Sequence, residues 1–202
     1  MHLLFGLLMA CASPKKTDVI AGAIEEVEIV EDTSPQEGEI IDLTDIGIIE
    51  DPFCGCQVGE YACNFKFLNQ EGDVIELHDY LGKVIVLDFS TVWCHWCKVA
   101  AMEENNILSQ FSSDEVVWIT VLLEDKTGNT VSVDEALEWA EEYNLHSPVL
   151  VGDPTKIVGD GETGYPVSGF PCFFIINKEM TIKMLLPGWN GTILTNAIQE
   201  NL

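Results

Sequence analysis

Apolar positions along this chain come in short blocks whose spacing switches between two residues and three or four. Residues 64–68 and 74–77 alternate on either side of Asn69-Gln70-Glu71-Gly72, which predicts a β-hairpin closed by a polar, glycine-bearing turn. Val84-Ile85-Val86-Leu87-Asp88-Phe89 is almost continuously apolar and predicts a buried strand. A helix over 95–111 follows, stopping near Ser112-Ser113, and 116–123 is a second apolar strand rich in β-branched residues. Val133, Ala136, Leu137 and Ala140 keep helical spacing within 133–143, with Asp134, Glu135 and Glu138 near the positive end of that helix. A short strand at 149–151 comes next. Residues 173–176 and 182–186 then form an antiparallel pair turning at Asn177-Lys178-Glu179, and 192–200 is a closing helix. The order is that of an α/β domain with a mixed sheet flanked by helices.

The chemistry sits where the first buried strand meets the first helix, in Trp93-Cys94-His95-Trp96-Cys97-Lys98. A helix leaves its first N–H groups unpaired and carries partial positive charge at that end, so a thiolate placed there is stabilised and its pKa falls. The second sulfur, one turn along, can close a disulfide with the first. Cys94 is therefore the candidate attacking thiol and Cys97 the resolving one. Half a zinc site and a pair of inert buried thiols are the competing readings. The sequence offers no second Cys-x-x-Cys and no histidine-rich partner motif, so no metal is assigned. Asp88 lies six residues before Cys94 inside the apolar strand; desolvated there, its carboxyl would hold a raised pKa suited to moving a proton near neutrality. Turned to water at the strand end, it would be an ordinary surface acid. A protonated His95 beside Cys94 would favour the thiolate and a more oxidising couple, and Trp96 offers an apolar platform for a peptide. Gly159-Asp160-Gly161-Glu162-Thr163-Gly164 has too much glycine for a helix and predicts a flexible loop near this face.

Val86-Leu87-Asp88-Phe89 leading to Trp93-Cys94-x-x-Cys97-Lys98 resembles the active-site segment of thioredoxin-fold proteins, and the wider pattern is similar to the TlpA/ResA-like lineage of extracytoplasmic thioredoxins. Supporting pieces are Phe65-x-Phe67 with Gly72, Leu77-His78-Asp79-Tyr80-Leu81-Gly82-Lys83, and Tyr165-x-Val167-x-Gly169-Phe170-Pro171. The resemblance implies a thioredoxin fold with an extra N-terminal β-hairpin. It implies that Asp88 helps take the proton from Cys97, that Pro171 is a cis-proline held against the cysteines, and that the backbone at Phe170 pairs with an extended substrate. Trp93, the aromatic before the first cysteine, shapes that surface together with His95, Trp96 and Phe170. The implied activity is thiol–disulfide exchange with protein cysteines, needing no cofactor but an upstream redox partner, its direction left open. Thr91-x-x-Cys94 also has a faint likeness to the peroxidatic motif of peroxiredoxins. That family uses an arginine to hold cysteine and peroxide; this chain has none, and Leu87 stands at the motif's usual proline position, so the reading is set aside.

Composition adds a tail and an anchor. With 202 residues the chain is one ordinary domain plus an extension, and a net charge of −25 argues against nucleic acid and against adhesion to anionic lipid. Residues 1–10 are apolar, too short to span a bilayer, and fit the core of a secretory signal, although Met1-His2 lacks the usual positive charge. Leu8-Met9-Ala10-Cys11 resembles the bacterial lipobox, which implies cleavage before Cys11, lipidation of Cys11, and a membrane-anchored lipoprotein facing the periplasm or cell surface. Residues 11–57 read as an acidic, mostly disordered tether, with a partner-binding segment as the other possibility, and 58–202 as the thioredoxin-like domain. Four further cysteines, Cys54, Cys56, Cys63 and Cys172, allow two disulfides in three connectivities. Cys54 and Cys56 are too close to pair with each other, so each would seek Cys63 or Cys172. A different class of function also fits: a non-catalytic thioredoxin-fold module whose tether and Cys54, Cys56 and Cys63 recruit a partner or a soft metal ion.

Overall fold

The structure is a computed structural model and describes residues 46–202. The signal segment, Cys11 and the tether up to residue 45 lie outside the described residues. Three short strands, β1 (Gly47–Ile48), β2 (Phe65–Leu68) and β3 (Val74–Glu76), form an antiparallel sheet in the order β1-β2-β3. The main sheet has β4 (Val84–Ser90) at its centre, β5 (Val116–Leu122) parallel to it on one side and β7 (Cys172–Ile176) antiparallel on the other. β6 (Val149–Val151) and β8 (Ile182–Pro187) complete the order β6-β5-β4-β7-β8. Among the described residues four α-helices accompany these strands, α1 (His95–Leu108), α2 (Val133–Glu142), α3 (Pro154–Ile157) and α4 (Gly191–Glu200), with one 3-10 turn at Leu77–Tyr80.

All seven residues of β4 are buried, as a central strand covered on both faces requires. Its side chains alternate. Ile85, Leu87 and Phe89 pack with Phe65, Phe67, Tyr165 and Phe174 on the hairpin side, while Val84 and Val86 pack with Trp118, Phe173, Ala100, Ile107 and Leu194 on the side of α1 and α4. By the same alternation Asp88 is on the helix side. The hairpin turn is tied to the main sheet through Gln70: its Oε1 accepts from the Val149 N–H at 2.8 Å and its Nε2 donates to the Ser147 carbonyl at 3.3 Å. That contact covers part of the exposed edge of β6.

The thioredoxin order with its added hairpin matches the expectation. Helix α1 stops at Leu108, where the expectation ran to 111, because Ser109, Gln110 and Phe111 continue as tighter turns. Three features differ more deeply. Residues 46–57 fall within the expected tether, yet β1 pairs with β2, Cys56 is fully buried, and Cys54 is disulfide-bonded to Cys63 with Cα atoms 4.7 Å apart. Folded structure therefore reaches to residue 46, before the boundary expected at 58. The four extra cysteines leave their pairing open; one bridge forms, Cys54–Cys63, and Cys56 and Cys172 are buried free thiols. The glycine-rich loop is fastened where flexibility was expected. Asp160 Oδ1 accepts from the N–H groups of Glu162 and Thr163, and the Cys56 N–H donates to the Gly161 carbonyl at 3.1 Å. A Cβ on Gly164 would stand 2.7 Å from the Ile157 carbonyl, so glycine here permits two backbone strands to touch. No helix among the described residues is long and apolar enough to cross a membrane.

The 54–63 bridge closes a short loop around the start of the domain. Replacing both cysteines (Cys54→Ser with Cys63→Ser) is expected to lower unfolding free energy by about 2–3 kcal/mol through loop entropy. Urea denaturation of the oxidised protein measures it, and an unchanged midpoint contradicts it.

Candidate active site

Cys94 is the N-cap residue of α1, with extended backbone, and its sulfur accepts from the Cys97 N–H at 3.2 Å. The two cysteines are joined in a disulfide, Cα atoms 5.3 Å apart. One sulfur thus occupies the place where a serine or aspartate ordinarily caps a helix, facing the unpaired N–H groups of the first turn. Cys97 is fully enclosed and Cys94 is 5% exposed, so the disulfide is approachable from the Cys94 side alone. Around it the surface is aromatic: Trp93 is 51% and Trp96 56% exposed. Trp93 is held in place, its indole N–H donating to Glu124 Oε2 at 2.9 Å and its ring meeting the Phe170 ring edge-on at 6.0 Å. His95 is exposed and stacks edge-on against Trp96. Phe170 packs against the cluster that contains both cysteines, and the Phe170–Pro171 peptide bond is cis. The structure therefore brings together Trp93, Cys94, His95, Trp96, Cys97 and Phe170, with Pro171 next in the chain. Cys11, the predicted lipidation site, lies outside the described residues.

Asp88 lies beneath, 2% exposed, its Oδ1 accepting from the Ser90 hydroxyl at 2.8 Å. Desolvation raises its pKa to about 7, against the lowering influence of Ser90 and of the nearby Trp118 indole, whose N–H makes no hydrogen bond of ordinary geometry. The strand-end alternative, a solvated aspartate, is thereby excluded. Sequence reasoning missed Glu104. This residue of α1 is 1% exposed, its Oε1 has no hydrogen-bond partner, and burial raises its pKa to about 8, with the Ser147 hydroxyl opposing and the charge of Asp88 adding. The available signal was positional. Glu104 follows Cys97, Ala100 and Ala101 at helical spacing on the buried face, where an apolar side chain is expected. The remaining thiols are quiet: burial lifts both Cys56 and Cys172 to about 12, and Asp88 adds its charge against Cys172. With Cys54 and Cys63 bonded to each other, the soft-metal arrangement of Cys54, Cys56 and Cys63 loses two of its three thiolates.

Residues 58–185 match the AhpC/TSA family model. The chain belongs to the AhpC/TSA family. Among its relatives is the thiol-disulfide oxidoreductase ResA of Bacillus cereus, 32% identical over 123 residues, a match covering 61% of this chain and 65% of the relative. The TlpA/ResA resemblance read from the sequence is thus borne out. Solved structures give the fold. A candidate thiol:disulfide interchange protein DsbE from Chlorobium tepidum superposes with TM-score 0.59 at 24% identity, over 72% of this chain and 97% of that one. The exposed lipoprotein thioredoxin Etrx1 of Streptococcus pneumoniae superposes with TM-score 0.52 at 24% identity, over 68% and 98%. Membership in the AhpC/TSA family does not revive the peroxidatic reading of Thr91-x-x-Cys94, because the chain still has no arginine and still has Leu87 at the proline position.

Buried acids with raised pKa values weaken the fold once they ionise. For Asp88 the folded pKa exceeds the unfolded one, so the folded state holds more protons between them and stability falls as pH rises from about 4 to 7. Asp88→Asn is expected to stabilise the protein by about 2–4 kcal/mol near pH 8 and by little near pH 4. Denaturation midpoints across that range test this; a gain independent of pH contradicts it.

Proposed function

We propose that the protein is a thiol–disulfide oxidoreductase that exchanges disulfides with protein cysteines outside the cytoplasm, using the Cys94–Cys97 couple. The observation that carries this reading is the Cys94 sulfur in the N-cap position of α1, accepting the Cys97 N–H and already bonded to the Cys97 sulfur. In the reducing direction the Cys94 thiolate attacks one sulfur of a substrate disulfide, forming a mixed disulfide and releasing the other substrate sulfur as a thiolate that takes a proton from water. Cys97 then gives its proton to the Asp88 carboxylate. Its thiolate attacks the Cys94 sulfur, so the Cys94–Cys97 bond forms as the bond to substrate breaks, and the second substrate sulfur leaves with the electron pair. Two electrons pass to the substrate, and an upstream dithiol restores the couple.

Phe170, packed against the cluster that holds both cysteines and followed by Pro171, would offer the backbone edge along which an extended chain pairs, while Trp93 and Trp96 supply an apolar rim. The setting outside the cytoplasm is supported by the structural disulfide Cys54–Cys63, which reducing compartments disfavour. An anchor at Cys11 after removal of residues 1–10, with an acidic tether reaching toward residue 45, rests on the lipobox likeness alone. A direction of net reduction is favoured by the family resemblance, whereas His95 beside Cys94 pulls toward oxidation.

Cys97→Ser is expected to accumulate a mixed disulfide at Cys94 with a cysteine-containing substrate such as insulin, and Cys94→Ser to lose insulin reduction to below about a hundredth of the parent rate. Non-reducing gels and turbidity measure the two. Full activity in Cys94→Ser overturns the assignment.

A further inference from the structure

Among the described residues, Glu104 is the one buried acid that the exchange steps above leave without a task. It is placed to matter. Cys97, Ala100, Ala101 and Glu104 lie on the single face of α1 that is turned to the sheet, and Asp88 projects from β4 toward that same face. Glu104 is seven residues beyond Cys97, which at the rise of a helix is about 10 Å, too far for direct contact with the sulfur. Its interaction is with Asp88, whose charge it feels, and with the Ser147 hydroxyl, which approaches the carboxyl from the turn before β6. Ser147 in turn lines an open cavity of about 320 Å³ with Asn105, Leu108, His146 and Pro148, on the flank of α1. Facing the two acids from the other packed elements are Thr120 and Trp118 of β5 and Phe173 of β7, with Ser90 beside Asp88 on β4, while the Cys172 thiol lies on the opposite face of the sheet, near enough to feel the charge of Asp88. None of these carries positive charge, so nothing among them neutralises a second carboxylate.

We propose that Glu104 is a positioning residue for the exchange reaction: it shares one proton with Asp88, and through it the proton that Asp88 takes from Cys97 leaves for water by way of Ser147. The proposal rests on the exchange chemistry assigned above to Cys94 and Cys97. Two carboxylates in one apolar site do not ionise together, so the pair is a unit that alternates between one proton and two. With one proton, held on Glu104, Asp88 is a carboxylate ready to accept. Transfer from the Cys97 thiol brings the pair to two protons as the Cys94–Cys97 bond forms. Loss of one proton toward the Ser147 cavity resets it. The cavity is lined by the C-terminal half of α1, whereas Cys94 caps its N-terminus, so the proton need not pass a chain bound at Cys94.

The test uses the full chain and two independent readouts. In the parent protein, resolution of a preformed Cys94 mixed disulfide with a cysteine peptide is expected to change with pH in two limbs, near 7 and near 8. Glu104→Gln, similar in shape but unable to carry the proton, is expected to lose the upper limb and keep the lower. A uniformly reduced rate with both limbs retained marks a merely structural role and overturns the proposal. Carboxyl carbon NMR of the oxidised parent protein needs neither a variant nor turnover, and the Asp88 and Glu104 signals should each respond to both ionisations. A Glu104 signal with a single step in the ordinary carboxylate range overturns this proposal alone while exchange stands. A parent protein that resolves no mixed disulfide at any pH overturns the exchange reading, and this one with it.

Discussion

The unpaired N–H groups at the start of α1 are the constraint on which the site depends. They need an acceptor, and the residue in the cap position is a cysteine whose sulfur takes the Cys97 N–H. That arrangement exists because β4 delivers the chain to the spot. Seven buried residues fix the strand between β5 and β7, and the turn through Thr91 and Val92, both buried, leaves no slack before the helix begins. Strand burial therefore becomes sulfur position. The same turn leaves Trp93 and Trp96 outside, so the approach to Cys94 is through aromatic surface.

Beneath the sulfurs the protein does something unfavourable for its own stability. Asp88 and Glu104 are both placed in the apolar layer between sheet and α1, where an ionised carboxylate is poorly solvated. A hydrophobic residue in either position would pack without that penalty. The penalty is also what lifts both acids into the range where a thiol can exchange protons with them, so the cost to the fold and the usefulness to the reaction are the same electrostatic fact. Cys172, paired with Phe89 in the strand next to β4, shows the contrast: equally buried, charged against by Asp88, and without a helix terminus, its thiol is held in the protonated form.

Much of this was legible in the chain. The run 84–89 and the Cys-x-x-Cys after it located the strand, the helix start and the reactive pair, because burial and capping act on residues adjacent in sequence. Asp88 stood out as one acid in an apolar run. Glu104 did not, since an acid in an amphipathic helix of an acidic protein looks solvated until the helix phase is known. Gly47–Ile48 was hidden for a different reason: a two-residue strand has no period, and what orders it is pairing with Phe65 and Lys66 together with the Cys54–Cys63 bridge. Which of Cys54 and Cys56 would bond was likewise undetermined, because both are within reach of Cys63 and only tertiary packing sends Cys56 into the core.

The most direct test is the ionisation of the two active thiols in the reduced protein, followed by the rate of iodoacetamide alkylation at Cys94 and Cys97 across pH with mass-spectrometric assignment. Cys94 is expected to react first, with a midpoint at least about one pH unit below the 8.5 of a free thiol, and Cys97 to stay unreactive until well above it. Two thiols that titrate together at or above that ordinary value would mean that the helix terminus does not hold a sulfur anion, and would contradict that expectation.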